Sequence, residues 1–236
     1  MRSSISPAAR CPSRRRSSAS WSRTRATLRK VRRCSRWRPA PRPVTALAPH
    51  QELLAAALRD YRGVDEREEQ HRRAILAQVE ATPQWWHRET LPGHVTGSAF
   101  VVDPEIQHLL LHHHLKLDRW LQFGGHDEGE RSPVETAVRE LAEESGLESF
   151  EFFGGPAIWD VDVHEIPARG AMPAHDHLDV RFLFVAARDQ GLRPAAGESR
   201  TLAWVELEEA AIRMNEEGAD RVIAKLLALR DMMQER

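Results

Sequence analysis

The stretch that most constrains this chain is the run from Gly124 to Leu147. Ser132 followed by Pro133 marks a helix start: a hydroxyl can cap the first free N–H groups, and proline's missing N–H costs nothing in the first turn. Gly146 stands where a left-handed C-terminal residue would end the helix. Between them Val134, Val138, Leu141 and Ala142 recur at helical spacing, an apolar stripe expected to bury. Glu140, Glu143 and Glu144 recur at i, i+3 and i+4, expected on the opposite face. An acidic helix face is usually no more than a solvated one. Three carboxylates held this close nevertheless repel one another unless a cation sits among them. Oxygen-only ligands on a rigid element suit Mg²⁺ or Mn²⁺, and Mg²⁺ needs only a few carboxylates plus substrate phosphate.

The residues around this helix form an ordered set. Gly125-x5-Arg131-x7-Arg139-Glu140-Leu141-x-Glu143-Glu144-x-Gly146-Leu147 resembles the Nudix box, Gly-x5-Glu-x7-Arg-Glu-apolar-x-Glu-Glu-x-Gly-apolar. One position departs, because Arg131 stands where the box has its first glutamate. Glu130 lies one residue early, so either the loop has slipped by one or a glutamate has given way to arginine. The resemblance implies that this glutamate supports the loop by pairing with the box arginine, here Arg139. Glu128, Glu130 and Glu135 are the residues that could take over that pairing.

The resemblance also implies an activity, the hydrolysis of a diphosphate in a nucleoside diphosphate linked to another moiety, with Mg²⁺ or Mn²⁺. It makes Glu140, Glu143 and Glu144 the expected metal ligands, Glu144 foremost, with the carbonyl of Gly124 completing the shell. Arg139 is expected to orient the glutamates. Glu198, just before the Trp204-Val205 strand, matches a further ligand or base, so either Glu144 or Glu198 would take the proton from water.

Charge divides the chain. Residues 1–42 hold fourteen Arg or Lys and no Asp or Glu, whereas the remainder carries 20 basic against 35 acidic residues. That acidic body offers no clustered positive charge for nucleic acid. The Arg-, Ser- and Pro-rich tail has no apolar periodicity and is expected to be disordered. It reads as an organellar transit segment, as a basic arm for nucleic acid, or as translated sequence upstream of the true start. Both cysteines, Cys11 and Cys34, lie in this tail, so no disulfide framework or zinc ribbon is expected beyond it. With no secretory signal and no long apolar run, a cytoplasmic enzyme without membrane attachment is expected.

Other residues are candidates for substrate contact. Trp86, beside Trp85, offers a ring face for a nucleobase, or simply an edge of the core. In the strand expected from Pro173 to Phe184, alternate residues share a face, so His175, His177 and Asp179 project together, with Arg181 beyond them. They read as a second metal site, as phosphate contacts, or as a hydrogen-bonded rim, with Arg181 a bidentate phosphate donor. His112 and His114 could ligate together but lack a local third ligand.

The order strand, strand, loop, helix, strands, helix fits a helix–sheet–helix sandwich. The expected organisation is a tail over residues 1–48, a helical extension over 49–82, and a domain over 83–236. By resemblance that domain is a Nudix-like α/β/α sandwich with a mixed sheet. The extension reads as a packing or dimer-forming appendage with solvent-facing charges, which makes a homodimer one expectation. Two alternatives remain: a catalytically idle nucleotide sensor, and an isopentenyl-diphosphate isomerase-like enzyme, whose chemistry would need a cysteine this domain lacks.

Overall fold

The computed structural model describes residues 47–194, 197 and 199–235. The basic tail, both cysteines and Glu198 lie outside the described residues. Two helices come first, α1 (Pro49–Asp60) and α2 (Glu66–Ala81), the second capped by Asp65, whose carboxylate accepts the Glu68 N–H at 2.7 Å. Strands β1 (Gly93–Val102), β2 (His108–His114), β3 (Arg119–Leu121) and β4 (Phe123–His126) lead into helix α3 (Pro133–Ser145). Then come β5 (Glu151–Phe152), β6 (Asp160–Ile166), β7 (His175–Val185), β8 (Ser199–Glu206), α4 (Leu207–Met214) and α5 (Glu217–Gln234). A single final helix from about Arg213 is the natural expectation from periodicity. Two form instead, because Asn215 turns left-handed at φ 48° and ends the first, a conformation asparagine tolerates better than most residues.

The spine of the sheet is a parallel pair, β1 with β7, in register from Gly93↔Asp176 to Val102↔Val185. Antiparallel strands flank it. The middle of β1 pairs with β4 and its end with β2, while β7 pairs with β6 along its first half and β5 at its end. β2 also takes β3 and β8, giving a mixed sheet. Strand alternation then sorts side chains into two layers. Ala99, Val101, Val180, Phe182 and Phe184 pack with Leu54, Leu58, Ile75, Val79, Ala137 and Leu141 of α1, α2 and α3. On the other face Phe100, Val102, Leu109, Leu111 and Leu183 pack with Leu207, Val222, Ile223 and Leu226 of α4 and α5. The result is an α/β/α sandwich. The two N-terminal helices share its core rather than standing apart from it. No helix of the described residues is long and apolar enough to cross a membrane.

The charges of these helices depart from the expected solvent-facing arrangement. Glu68 of α2 is fully buried and meets Tyr61 Oη and Lys225 Nζ of α5. Lys225 Nζ and Arg221 Nε each lie 2.9 Å from Asp160 Oδ2. Arg181 of β7 continues the network: its Nε donates to Asp179 Oδ2 at 2.8 Å, and Nη1 and Nη2 reach Asp160 and Asp162 at 3.2 Å. Burial alone would raise the Asp160 carboxyl, yet hydrogen bonds from Arg221 and the charges of Arg181 and Lys225 hold it at about 2, below its ordinary 3.8. Burial would likewise raise Asp162, and hydrogen bonds from His164 and His71 with the Arg181 charge more than reverse this. A carboxylate depressed in the folded state stabilises in full above its unfolded value, and that stability is lost as pH falls through the folded value. The contribution of Asp160 is therefore expected to be constant near neutrality and to fall away between roughly pH 4 and pH 2, with that of Asp162 following only at lower pH. Urea midpoints measured across that range would check this, and an unchanged midpoint down to pH 2 would contradict it.

Candidate active site on the loop and helix after β4

Strand β4 delivers Gly124, Gly125 and His126 alongside Ser98, Gly97 and Thr96 of β1. The chain then turns through an acidic loop in which Asp127 accepts the Gly129 N–H at 2.9 Å and the Arg131 N–H. Ser132 and Pro133 start α3, and Gly146 ends it at φ 67°. The helix sits directly against β1, since a Cβ on Gly97 would fall 2.2 Å from the Pro133 carbonyl oxygen.

The buried side of α3 differs from the expected stripe. Ala142 is exposed and Val134 and Val138 are half-buried, whereas Thr136, Ala137, Leu141, Glu144 and Ser145 are buried. The helix is rotated so that Glu144, only 5% exposed, faces the sheet. The backbone N–H of Gly124 donates to its Oε2 at 3.1 Å. Glu140 lies over Gly125, where a Cβ would stand 2.1 Å from Glu140 Oε1. Only glycine leaves room for that carboxylate against the strand. Glu143 is the outer member, with 60% of its side chain exposed.

Arg139 organises these groups. Its Nε donates to Glu130 Oε1 at 2.6 Å and its Nη2 to the His126 carbonyl at 2.7 Å. Its Nη1 lies 3.0 Å from Glu140 Oε1 and 3.2 Å from Glu143 Oε2. Burial works against the Glu130 carboxylate, but the Arg139 hydrogen bond and backbone N–H groups pull its pKa below the ordinary value. Glu130 thus makes the pairing that the box assigns to its first glutamate. Arg131 is exposed, takes a left-handed backbone at φ 56°, and lays its guanidinium 4.9 Å from the Trp86 ring. The loop has slipped by one residue. Glu130→Ala is accordingly expected to lower turnover by on the order of 10- to 100-fold, because it frees the arginine that sets the glutamates. Arg131→Ala should leave turnover nearly unchanged, and Arg131→Glu should bring no gain. Equal losses for Glu130→Ala and Arg131→Ala would refute the slipped pairing.

The other candidates fall in different places. Arg181 is 1% exposed and fully engaged by Asp160, Asp162 and Asp179. It is therefore no phosphate donor, since its donors are spent on buried carboxylates. Asp179 accepts from Thr96 Oγ1 at 2.9 Å and Ser98 Oγ at 2.8 Å, so it leaves the set formed with His175 and His177. Trp86 stands edge-on to Trp85 and His50 with Arg131 over its ring, a partly buried corner of the fold. His112 is buried with its Nδ1 2.7 Å from Ser199 Oγ, an ordinary hydrogen-bonded position.

His175 and His177 are joined by residues the sequence reading did not single out, His94 of β1 and His126 of β4. Ring centroids of His94 lie 5.1 Å from His175 and His177 and 5.0 Å from His126. The signal was present in β1: His94, Thr96 and Ser98 alternate as polar residues along a strand whose every residue is buried. Among the described residues two groups of three bring ligand atoms within 4.8 Å of one another, His94/His175/His177 and Asp162/His164/Glu216. The three glutamates of α3 are not such a group, because Arg139 draws Glu140 and Glu143 to itself while Glu144 turns to Gly124. As hard oxygen donors carried by one helix, they nonetheless fit Mg²⁺ or Mn²⁺ in kind.

Residues 92–226 match the family model described as NUDIX domain. No curated protein matches the sequence. Among solved structures, an Ap4A hydrolase of C. elegans is 18% identical, with 57% of this chain and 96% of that chain covered at a TM-score of 0.47. A NUDIX family hydrolase from Clostridium perfringens is 24% identical, covering 59% and 97% at 0.40. The E. coli dihydroneopterin triphosphate pyrophosphohydrolase is 12% identical, covering 57% and 95% at 0.45.

Proposed function

Because this chain belongs to the Nudix family, a family of hydrolases acting on nucleoside diphosphate derivatives, we propose that it cleaves the diphosphate of a nucleoside diphosphate linked to another moiety, using Mg²⁺ or Mn²⁺. The observation that carries this reading is the Arg139 hub, which gathers Glu130, Glu140, Glu143 and the His126 carbonyl while Glu144 is tied to Gly124. Glu140, Glu143, Glu144 and the carbonyl of Gly124 are the groups that would hold the cation. A bound divalent cation would neutralise diphosphate oxygens and make a water more acidic.

The chain's own residues do the rest. Glu144 keeps one oxygen fixed by the Gly124 N–H, so its carboxylate needs little reorganisation during the reaction. Arg139 holds Glu140 and Glu143 despite their mutual repulsion. Glu143, the most exposed of the three, stands on the side from which substrate arrives. The proton of the attacking water goes to Glu144 or to Glu198. In-line attack at phosphorus requires chiefly positioning and charge stabilisation, and this arrangement supplies both. The acidic balance of residues 43–236 favours a small substrate over a long polyanion.

The test is mass-spectrometric turnover of a panel of nucleoside diphosphates linked to sugars, nucleosides or coenzyme fragments, with Mg²⁺ and with Mn²⁺. Products split between the phosphates would support the reading and identify the substrate class. Tight binding of a panel member with no turnover in either metal would overturn it in favour of a sensor.

A further inference from the structure

We propose that His94, His175 and His177 form a second metal site, for a borderline divalent transition metal of the Zn²⁺ class, distinct from the carboxylates of α3. The three residues come from two strands that the parallel β1–β7 pairing places side by side, with His94 directly opposite His177. One ring nitrogen of each lies within 4.8 Å of one from each of the others. Imidazole nitrogens select zinc, copper or nickel over magnesium, and three such ligands with an open position are a common zinc arrangement.

Two features favour a metal over a merely packed cluster. His94 is fully buried, yet neither of its ring nitrogens makes a hydrogen bond of normal geometry. A buried imidazole ordinarily finds a partner for at least one nitrogen, and the rings around it are other histidines. His175 is already prepared as a ligand. Its Nδ1 lies 2.9 Å from the Pro173 carbonyl, which can only accept, so Nδ1 carries the proton and Nε2 is left with its lone pair. That is the outer hydrogen bond characteristic of ligating histidines.

The electrostatics agree with this geometry. Burial, with repulsion from His126 and opposed by a backbone interaction at Thr90, pushes His94 down to about 4. Burial and its histidine neighbours push His177 to about 2. His94 and His177 are thereby held toward the neutral form, the one in which an imidazole binds a metal. His177 is half-buried, so the cluster can be reached from solvent. His126 flanks it, with its ring centroid 4.8 Å from that of His177. The carbonyl of the same residue holds Arg139, so a metal here would stiffen the strand that carries the catalytic loop.

The test uses the full chain, stripped with a chelator and dialysed against Zn²⁺ in excess Mg²⁺, with metal counted by mass spectrometry and Co²⁺ as an optical probe. One Zn²⁺ per chain is expected, and it should persist when Glu140, Glu143 and Glu144 are all replaced by glutamine. His177→Gln and His175→Gln should each lose it, with circular dichroism unchanged, and the Co²⁺ visible band should vanish in both. Equal Zn²⁺ in the wild type and the histidine variants would overturn the proposal. So would loss of Zn²⁺ on replacing the glutamates alone, or no Zn²⁺ bound by the wild type. Turnover plays no part in these readouts, so failure here leaves the hydrolase reading untouched, and the reverse also holds.

Discussion

Replacing Glu144 with glutamine is expected to lower kcat by about 10³-fold or more, a loss of roughly 4 kcal/mol of transition-state stabilisation. Glutamine is nearly isosteric and retains an oxygen that can accept from the Gly124 N–H. The thermal midpoint should therefore hardly move. What disappears is a negative charge facing the sheet, at the edge proposed to hold the cation that neutralises the diphosphate. Because that charge matters most as the reaction proceeds, kcat should fall and KM should change little. Glu143→Gln removes a carboxylate that is 60% exposed and only loosely tied to Arg139, so a smaller loss is expected. Steady-state kinetics with saturating Mg²⁺ would check both. A Glu144→Gln enzyme with wild-type kcat would remove Glu144 from the machinery.

Arg181→Met is expected to destabilise the fold by about 3–5 kcal/mol without touching the α3 site. Arg181 is the shared partner of three aspartates, of which Asp160 is fully buried and Asp179 and Asp162 are 2% and 4% exposed. Methionine fills much of the space but leaves the carboxylates with too little compensating charge in a medium that solvates them poorly. Against a total stability of about 5–15 kcal/mol for an ordinary domain, such a loss is large. Urea unfolding should show a lower midpoint with an unchanged slope. Asp179→Asn in the same chain should recover part of the loss, because one orphaned charge goes while Thr96 and Ser98 keep an acceptor. A single-variant loss below about 1 kcal/mol would mean that the network is solvated after all.

Much of the architecture was legible locally. Asp65 caps α2, and the Ser132, Pro133 and Gly146 signals delimit α3 as expected. Strand positions followed from apolar runs and alternation, and the order of elements was enough to expect a helix–sheet–helix sandwich. The face on which α3 buries was not legible, because Val134, Val138 and Ala142 form as plausible a stripe as the one used. Contact with Gly97 and Gly124 chose the rotation, and that choice turned Glu144 inward.

The slipped glutamate was legible only as an ambiguity. Spacing alone names Arg131, but the left-handed backbone at that residue hands the pairing with Arg139 to Glu130. Arg181 is ambiguous in the sequence for a related reason. Alternation correctly puts it on the face of His177 and Asp179, yet says nothing of Asp160 and Asp162 arriving from β6. A phosphate donor and a core ion pair look alike until the neighbouring strand is placed.

By itself, then, the sequence determined what depends on neighbours within a few residues: the ends of the helices, the three-glutamate spacing, the glycines beside them and the family to which they belong. Tertiary structure alone decided which arginine is buried, which glutamate faces the sheet, and that His94 meets His175 and His177. Those outcomes depend on strand pairing between segments about eighty residues apart, as in the Thr96–Asp179 hydrogen bond. Register across such a gap is set by the packing of both sheet faces at once, and local periodicity carries no record of it.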